Sequence, residues 1–249
     1  VKIGLINDTH NGTHNNGTIM GTQCLNWLDN VLSAGDLADI DVLLVIGDII
    51  EDYTSLEEGQ QLLGAVKDEI VAYLSLSKVL FSLGNHDVQG PMTVDQIVSA
   101  LGIPSNYYYK DILGVRFVML DPDYDENTNE HEYNGGSWGG HLPPVELAWL
   151  DETLKPSRAA VVCCHHLLAP LGMSGNKYFA GGNEVHSRVD NYADVQTILQ
   201  KHKDEILYCI HGHTHWDKHE AYNGIWYIQI ASLVDTWSPE KKRAKVIVL

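Results

Sequence analysis

Apolar runs of strand length recur along the chain at residues 2–6, 42–46, 79–83, 115–120, 159–164, 205–210, 225–230 and 245–248, each bounded by turn-type residues. Between them, apolar positions near helical spacing predict helices over 21–33, 56–74, 93–101, 145–154 and 192–202. Strand and helix alternate through most of the chain, which argues for an α/β layered domain. After residue 206 the pattern turns strand-rich, so antiparallel hairpins are expected to finish the sheet. No internal repeat and no linker interrupts the pattern, and residues 1–249 read as a single domain long enough to bury a sizeable core. Two long connections, 121–144 and 165–191, are rich in Gly, Asn, Pro and His, and connections longer than about 12–15 residues inside a compact domain are usually functional or disordered. Function is expected of both.

The apolar runs also exclude some partners. The longest, such as 41–46 and 159–164, are interrupted within about ten residues, whereas a membrane span needs about twenty. No transmembrane helix and no membrane partner are expected. The first residues read as a strand and lack the basic start, apolar stretch and small-residue cleavage site of a signal peptide, giving a cytoplasmic expectation. Cys24, Cys163, Cys164 and Cys209 show no Cys-x-x-Cys spacing, and three of them sit in apolar runs, so buried free thiols in a reducing compartment are expected. With 33 acidic and 16 basic side chains the formal charge is −17, which repels polyanions. No nucleic-acid polymer is expected as a partner, and the basic run Lys241-Lys242-Arg243 reads as a solvated hairpin turn.

Candidate chemistry clusters where the strands end. Asp8-Thr9-His10 follows the first, Gly47-Asp48 the second and Gly84-Asn85-His86-Asp87 the third. A later strand ends in His165-His166, and the next in His211-Gly212-His213-Thr214-His215. In open α/β sheets the carboxyl ends of the strands converge on one crevice, where ligands bind. The donors are all nitrogen and oxygen, which suits divalent or trivalent first-row metals such as Mn, Fe or Zn and excludes a thiolate site. Seven such ligands exceed what one ion takes, whereas two ions about 3.5–4 Å apart would use them, a recurrent solution for hydrolysing phosphate esters. Each string alone is weak, because Gly-Asp, Gly-Asn and Gly-His also make turns and caps. Their conjunction, each after a strand, is what coincidence explains poorly.

In these strings the chain resembles the calcineurin-like metallophosphoesterase superfamily, whose pattern is Asp-x-His, Gly-Asp, Gly-Asn-His-Asp/Glu, a strand-terminal His and Gly-His-x-His. All five blocks are present between Asp8 and His215. The resemblance implies a four-layer αββα sandwich of two mixed sheets flanked by helices, with a binuclear centre of two transition-metal ions at one edge. It places Asp8, His10 and His215 on one metal and Asn85, His165 and His213 on the other, with Asp48 bridging both. His166 competes with His165 for its place, and His211 is expected to be structural. A metal-bridging hydroxide supplies the nucleophile and the ions neutralise the phosphoryl oxygens, leaving about +1 locally after Asp8, Asp48 and hydroxide are counted. The resemblance makes His86 the acid that protonates the leaving group; Asp87 is expected either to orient His86 or to cap a loop.

Departures from subfamily patterns narrow the substrate. Gly47-Asp48 continues Ile49-Ile50-Glu51-Asp52, without the Gly-Asp-x-x-Asp-Arg-Gly string of the Ser/Thr protein phosphatases. The purple acid phosphatases carry a tyrosine ligand where this chain has Glu51, which argues against an Fe(III)–tyrosinate centre. Asn134-Gly135-Gly136, Leu147-Ala148-Trp149-Leu150 and 191–199 look like the manganese-dependent ADP-ribose/CDP-alcohol diphosphatases and class III cyclic-nucleotide phosphodiesterases, although the Leu-x-Trp-Leu helix is equally explained as core. The long connections hold His131, Trp138, His141, Tyr178, Phe179, His186 and Arg188; the aromatics could stack a nucleobase and Arg188 could meet a second phosphate, yet packing is expected of most. The expectation is a metal-dependent phosphohydrolase cleaving phosphodiester or pyrophosphate bonds of small, nucleotide-derived substrates. A phosphomonoesterase is the alternative, and a non-catalytic scaffold of the same fold the more distant one.

Overall fold

The computed structural model describes residues 1–249 except 14–18, 36, 126, 128–138, 156–157 and 238–243. Its strands form two mixed sheets. Strands β1 (Lys2–Ile6), β2 (Val42–Ile46) and β3 (Val79–Ser82) are parallel, with β10 (Lys245–Val248) antiparallel beside β1, in the order β10-β1-β2-β3. The second sheet runs β4-β5-β6-β7-β9-β8. Its parallel centre is β5 (Val115–Met119), β6 (Ala160–Cys164), β7 (Ile206–His211) and β9 (Ile225–Gln229); β4 (Tyr108–Ile112) and β8 (Lys218–Tyr222) are antiparallel edges.

Alternate residues of the central strands serve different cores, which is why these strands read as unbroken apolar runs. Val42, Leu44 and Ile46 of β2 face the second sheet and meet Phe117, Met119, Val161, Cys163 and Ile210, while Leu43 and Val45 face helices. Those helices are α1 (Cys24–Ser33), α2 (Leu56–Val71) and α3 (Val94–Leu101), packed through Leu28, Leu63, Val66, Ile70 and Ile97. On the far side, Ala160, Val162 and Cys164 of β6 meet Leu150 and Leu154 of α4 (Pro144–Leu154) and Val195 and Leu199 of α5 (Tyr192–Lys201). The layers are thus helix, sheet, sheet, helix, as the resemblance implied.

The chemistry of the helix ends matches the pattern. Ser55 caps α2 by accepting from the Glu58 amide, with Glu57 and Glu58 in the first turn, and Thr93 caps α3 reciprocally with Gln96 before the helix stops at Gly102 in left-handed conformation. Residues 21–23, expected within the first helix, form a 3-10 turn ahead of α1. Both edge strands β4 and β8 were absent from the expectation. The four cysteines are buried and free, and among the described residues no helix is long and apolar enough to cross a membrane.

Candidate binuclear metal site

The parallel strands of both sheets release their chains at one edge, and the loops there are stitched together. The Asp8, His10 and Asn11 amides donate to the Gly47, Asp48 and Ile49 carbonyls at 3.2, 2.9 and 3.0 Å, so the loops after β1 and β2 run side by side. Across the sheets, the His213 amide donates to both Asp8 carboxylate oxygens at 3.2 Å, and His165 Nδ1 donates to the Ile46 carbonyl at 2.8 Å. The glycines of the strings after β2 and β3 permit this approach. A Cβ on Gly84 would lie 2.4 Å from Asp48 Oδ1, and one on Gly47 would lie 2.5 Å from His165 Nδ1.

Backbone strain is concentrated in the same place. The described non-glycine residues with positive φ are Asp8, His10, Asp48, His213 and His215, together with Leu113 and Asn223 in the β4–β5 and β8–β9 turns. The left-handed region costs L-residues about 1–2 kcal/mol each. Five candidate ligands held there mark a site that the surrounding packing imposes.

The side chains form two groups sharing Asp48. Asp8, His10, Asp48 and His215 make one, and Asp48, His165 and His213 the other, each with ligand-capable atoms within 4.8 Å of one another and all buried. In the first, the Nε2 atoms of His10 and His215 lie 3.1 Å apart, with Asp8 Oδ1 3.3 Å from His215 Nε2. The Nδ1 atoms of both rings face carboxylates: Asp235 is hydrogen-bonded to His215 at 2.7 Å, and Glu51 lies 2.9 Å from His10 as a charge contact. Neutral rings so held aim two lone pairs at one point, which is tolerable only with a proton or a cation there. In the second group, His165 Nε2 stands 3.1 Å from Asp48 Oδ2, and Asn85 Oδ1 is buried with no hydrogen-bond partner among the described residues. His213 gives Nε2 to the His186 carbonyl at 3.0 Å, which leaves Nδ1 to ligate. The orphaned Asn85 oxygen and the opposed imidazoles fit a pair of cations bound by nitrogen and oxygen donors. His166 instead packs against the His213 ring, tilted by 38° at 4.1 Å, while His165 is the one grouped with Asp48 and His213. His211 bonds the Cys164 and His166 carbonyls and stacks on Tyr227.

His86 sits over the shared carboxylate. Its amide donates to Asp48 Oδ1 at 2.9 Å, and its Nδ1 meets Asp52 at 2.9 Å and Glu51 at 3.5 Å. Burial alone would lower its pKa, but the charges of Asp48, Asp52 and Glu51 push it up to about 9. Asp87 requires a correction as a partner for His86. Its carboxylate accepts the amides of Ile49 (2.8 Å), Ile50 (3.1 Å) and Gly84 (2.9 Å), which ties the β3 loop to the β2 loop. The 3-10 turn Asn85–Val88 turns Asp87 inward and His86 outward, so Asp52, not its neighbour, holds the imidazole. Replacing Asp87 with Ala strands three buried amides at about 1–3 kcal/mol each. A fall in melting temperature of several degrees is expected for the metal-free variant, checked by thermal denaturation.

Beside the metal groups opens a cleft of about 290 Å³ whose wall includes Ile19, Tyr178 and Phe179. Tyr178 and Phe179 come from the 165–191 connection, so part of that connection lies at the cleft. Arg188, in contrast, lies over the Tyr192 ring at 5.0 Å and bonds the Glu184 carbonyl, and His141 pairs with Asp190, so both serve packing. His131, Trp138, the 134–136 string and the 241–243 basic run lie outside the described residues.

Nearby carboxylates favour protons on two candidate ligands. Burial lowers His165 and His215, but Asp48 raises the first and Asp8 and Asp235 the second, each to about 10. Both are therefore protonated at neutral pH and must lose that proton to ligate. Metal uptake at pH 7 is expected to release protons, and apparent affinity to rise with pH. Calorimetric titration in buffers of different ionisation enthalpy measures this; zero release would contradict it.

Residues 1–217 match the family model described as calcineurin-like phosphoesterase. The chain belongs to that family, a class of hydrolases that act on phosphate esters with two transition-metal ions. Among solved structures, a dimetal phosphatase from Danio rerio is similar over 94% of this chain and 88% of its own, with TM-score 0.73 and 18% identity. A phosphopantetheinyl hydrolase from Mycobacterium tuberculosis aligns over 99% and 95% of the two chains with TM-score 0.55 and 16% identity. A purple acid phosphatase from yellow lupin aligns over 94% of this chain and 44% of its own, with TM-score 0.59 and 15% identity. These likenesses show the fold. No curated protein matches the chain significantly.

Proposed function

We propose that this phosphoesterase cleaves phosphodiester or pyrophosphate bonds of small, nucleotide-derived substrates, with Asp8, His10 and His215 holding one metal ion, Asn85, His165 and His213 the other, and Asp48 both. The observation that carries the assignment is the pair of buried donor groups meeting at one carboxylate. When bound, the two ions supply a nucleophile at neutral pH and neutralise the phosphoryl oxygens. The chain's own residues do the rest. Asp48 fixes the separation of the two groups and orients the His86 amide. His86, held through Nδ1 by Asp52, delivers the Nε2 proton to the leaving oxygen. Tyr178, Phe179 and Ile19 offer an apolar wall against which the organic part of the substrate rests, and an aromatic pair suits a nucleobase.

The pyrophosphate arm of this reading finds no support from Arg188, whose guanidinium is held by Tyr192 and Glu184. Phosphomonoester hydrolysis uses the same groups and is the alternative. The test is turnover by chelator-stripped protein after adding back Mn, Zn, Fe or Mg, with an aryl phosphodiester, an aryl phosphomonoester and ADP-ribose side by side. Metal-restored turnover favouring the diester or ADP-ribose supports the proposal; a clear preference for the monoester replaces it. If no metal restores turnover of any of them while two ions bind, the scaffold reading takes its place.

A further inference from the structure

The four metal-facing imidazoles are not braced alike. His165 and His213 each give their outward nitrogen to a main-chain carbonyl, Ile46 at 2.8 Å and His186 at 3.0 Å. His215 gives its outward nitrogen to the buried Asp235 carboxylate at 2.7 Å, and the buried Glu51 carboxylate faces His10 Nδ1 at 2.9 Å as a charge contact without hydrogen-bond geometry; the two carboxylate side chains are 1% and 8% exposed. Asp235 belongs to no ligand string, and Glu51, which shares a group of ligand-capable atoms within 4.8 Å with His10 and His86, is no part of the Gly-Asp string before it. Each is built in. Asp235 also accepts the Tyr178 hydroxyl at 2.6 Å and the Trp237 amide at 2.9 Å, while its own amide donates to Ser232 Oγ at 3.1 Å. Glu51 reaches from the loop after β2, where its amide donates to the Asn11 carbonyl at 3.1 Å, and its second oxygen stands 3.5 Å from His86 Nδ1.

We infer that Glu51 and Asp235 are positioning residues for one metal position only, the one formed by Asp8, His10 and His215. This rests on the binuclear reading of the site. A carboxylate on Nδ1–H fixes the tautomer, aims the Nε2 lone pair inward and makes the imidazole a stronger donor than a neutral carbonyl does. Four buried carboxylates, Asp8, Asp48, Glu51 and Asp235, then surround the two Nε2 atoms 3.1 Å apart. Such a concentration of buried negative charge is stable beside a cation and costly without one. The other position, braced by Ile46 and His186 carbonyls, has no such carboxylate layer among the described residues and is expected to be indifferent to Glu51 and Asp235.

The test uses chelator-stripped protein titrated with Mn(II), following stoichiometry and affinity by calorimetry and ion proximity by electron paramagnetic resonance. Wild-type protein is expected to bind two ions with a coupled spectrum. Glu51→Ala and Asp235→Ala should each weaken one of the two ions by about 10–100-fold, leave the other within about twofold, and show an uncoupled spectrum at low Mn(II). Glu51→Gln and Asp235→Asn keep an oxygen facing Nδ1, and should fall between wild type and Ala. The two carboxylates lie on separate loops, so a variant that fails to fold leaves the other to decide. Both ions weakened equally, or both unchanged, overturns the inference while the binuclear reading stands. Wild-type protein that binds no pair of ions overturns that reading itself.

Discussion

Asp48→Asn is expected to bind neither metal ion stoichiometrically and to lose about three orders of magnitude or more in turnover, since two-metal chemistry needs both ions. The effect is large because Asp48 serves both donor groups. One oxygen stands 3.1 Å from His165 and 3.8 Å from His10, and the other accepts the His86 amide. Burial would raise its pKa, but His165, His86 and His10 hold it well below the usual carboxylate range, so it is ionised throughout the working range. Asparagine keeps an acceptor for the His86 amide and removes only the charge and one donor oxygen. The fold is therefore preserved while the metals are lost. Metal content after gel filtration decides the matter: full occupancy of both ions in the variant would contradict the bridging role, whatever its activity.

What could be seen of this site in the sequence was what short-range chemistry writes there. A strand followed at once by Gly-Asp, Gly-Asn-His-Asp or Gly-His-Thr-His is a local signal. The structure brings Asp8, His10, Asp48, Asn85, His165, His213 and His215 to one edge because all of them follow parallel strands. Two edge strands went unseen because they have no apolar run. In β4 and β8, burial alternates with exposure, Tyr-Tyr-Lys-Asp-Ile and Lys-His-Glu-Ala-Tyr. Asn223-Gly224, with φ of 51° and 82°, is a strong two-residue hairpin signal and could have revealed β8; Leu113-Gly114 at the β4 turn is a poor one. Adjacency left two roles open for Asp87, and the loop-capping one is seen because a 3-10 turn sends neighbouring side chains in opposite directions. Glu51 and Asp235 were out of reach for a different reason. Their roles lie in contacts to rings 41 and 20 positions away in the chain, 2.9 and 2.7 Å distant in space.

The second large effect concerns His86. His86→Ala should lower turnover of substrates with poor, alkoxide-like leaving groups by about 10²–10⁴-fold, and of activated aryl esters far less, because a good leaving group departs without its proton. Its place makes the argument. The ring lies over the metal groups, 4.9 Å from His10 centre to centre, yet its side chain is 25% exposed and its Nδ1 is committed to Asp52. Nε2 is the atom left to face a departing oxygen. The shift up to about 9 keeps the ring protonated at neutral pH, as an acid must be. Two bound cations repel that proton, so the basic limb of kcat/KM is expected at or below pH 9, and it should vanish in His86→Ala. Asp52→Asn removes the partner's charge and should move the limb to lower pH while leaving the ring in place. Equal losses for good and poor leaving groups in His86→Ala would reassign the imidazole to binding the phosphoryl group, and an unmoved limb in Asp52→Asn would detach that carboxylate from the acid's titration.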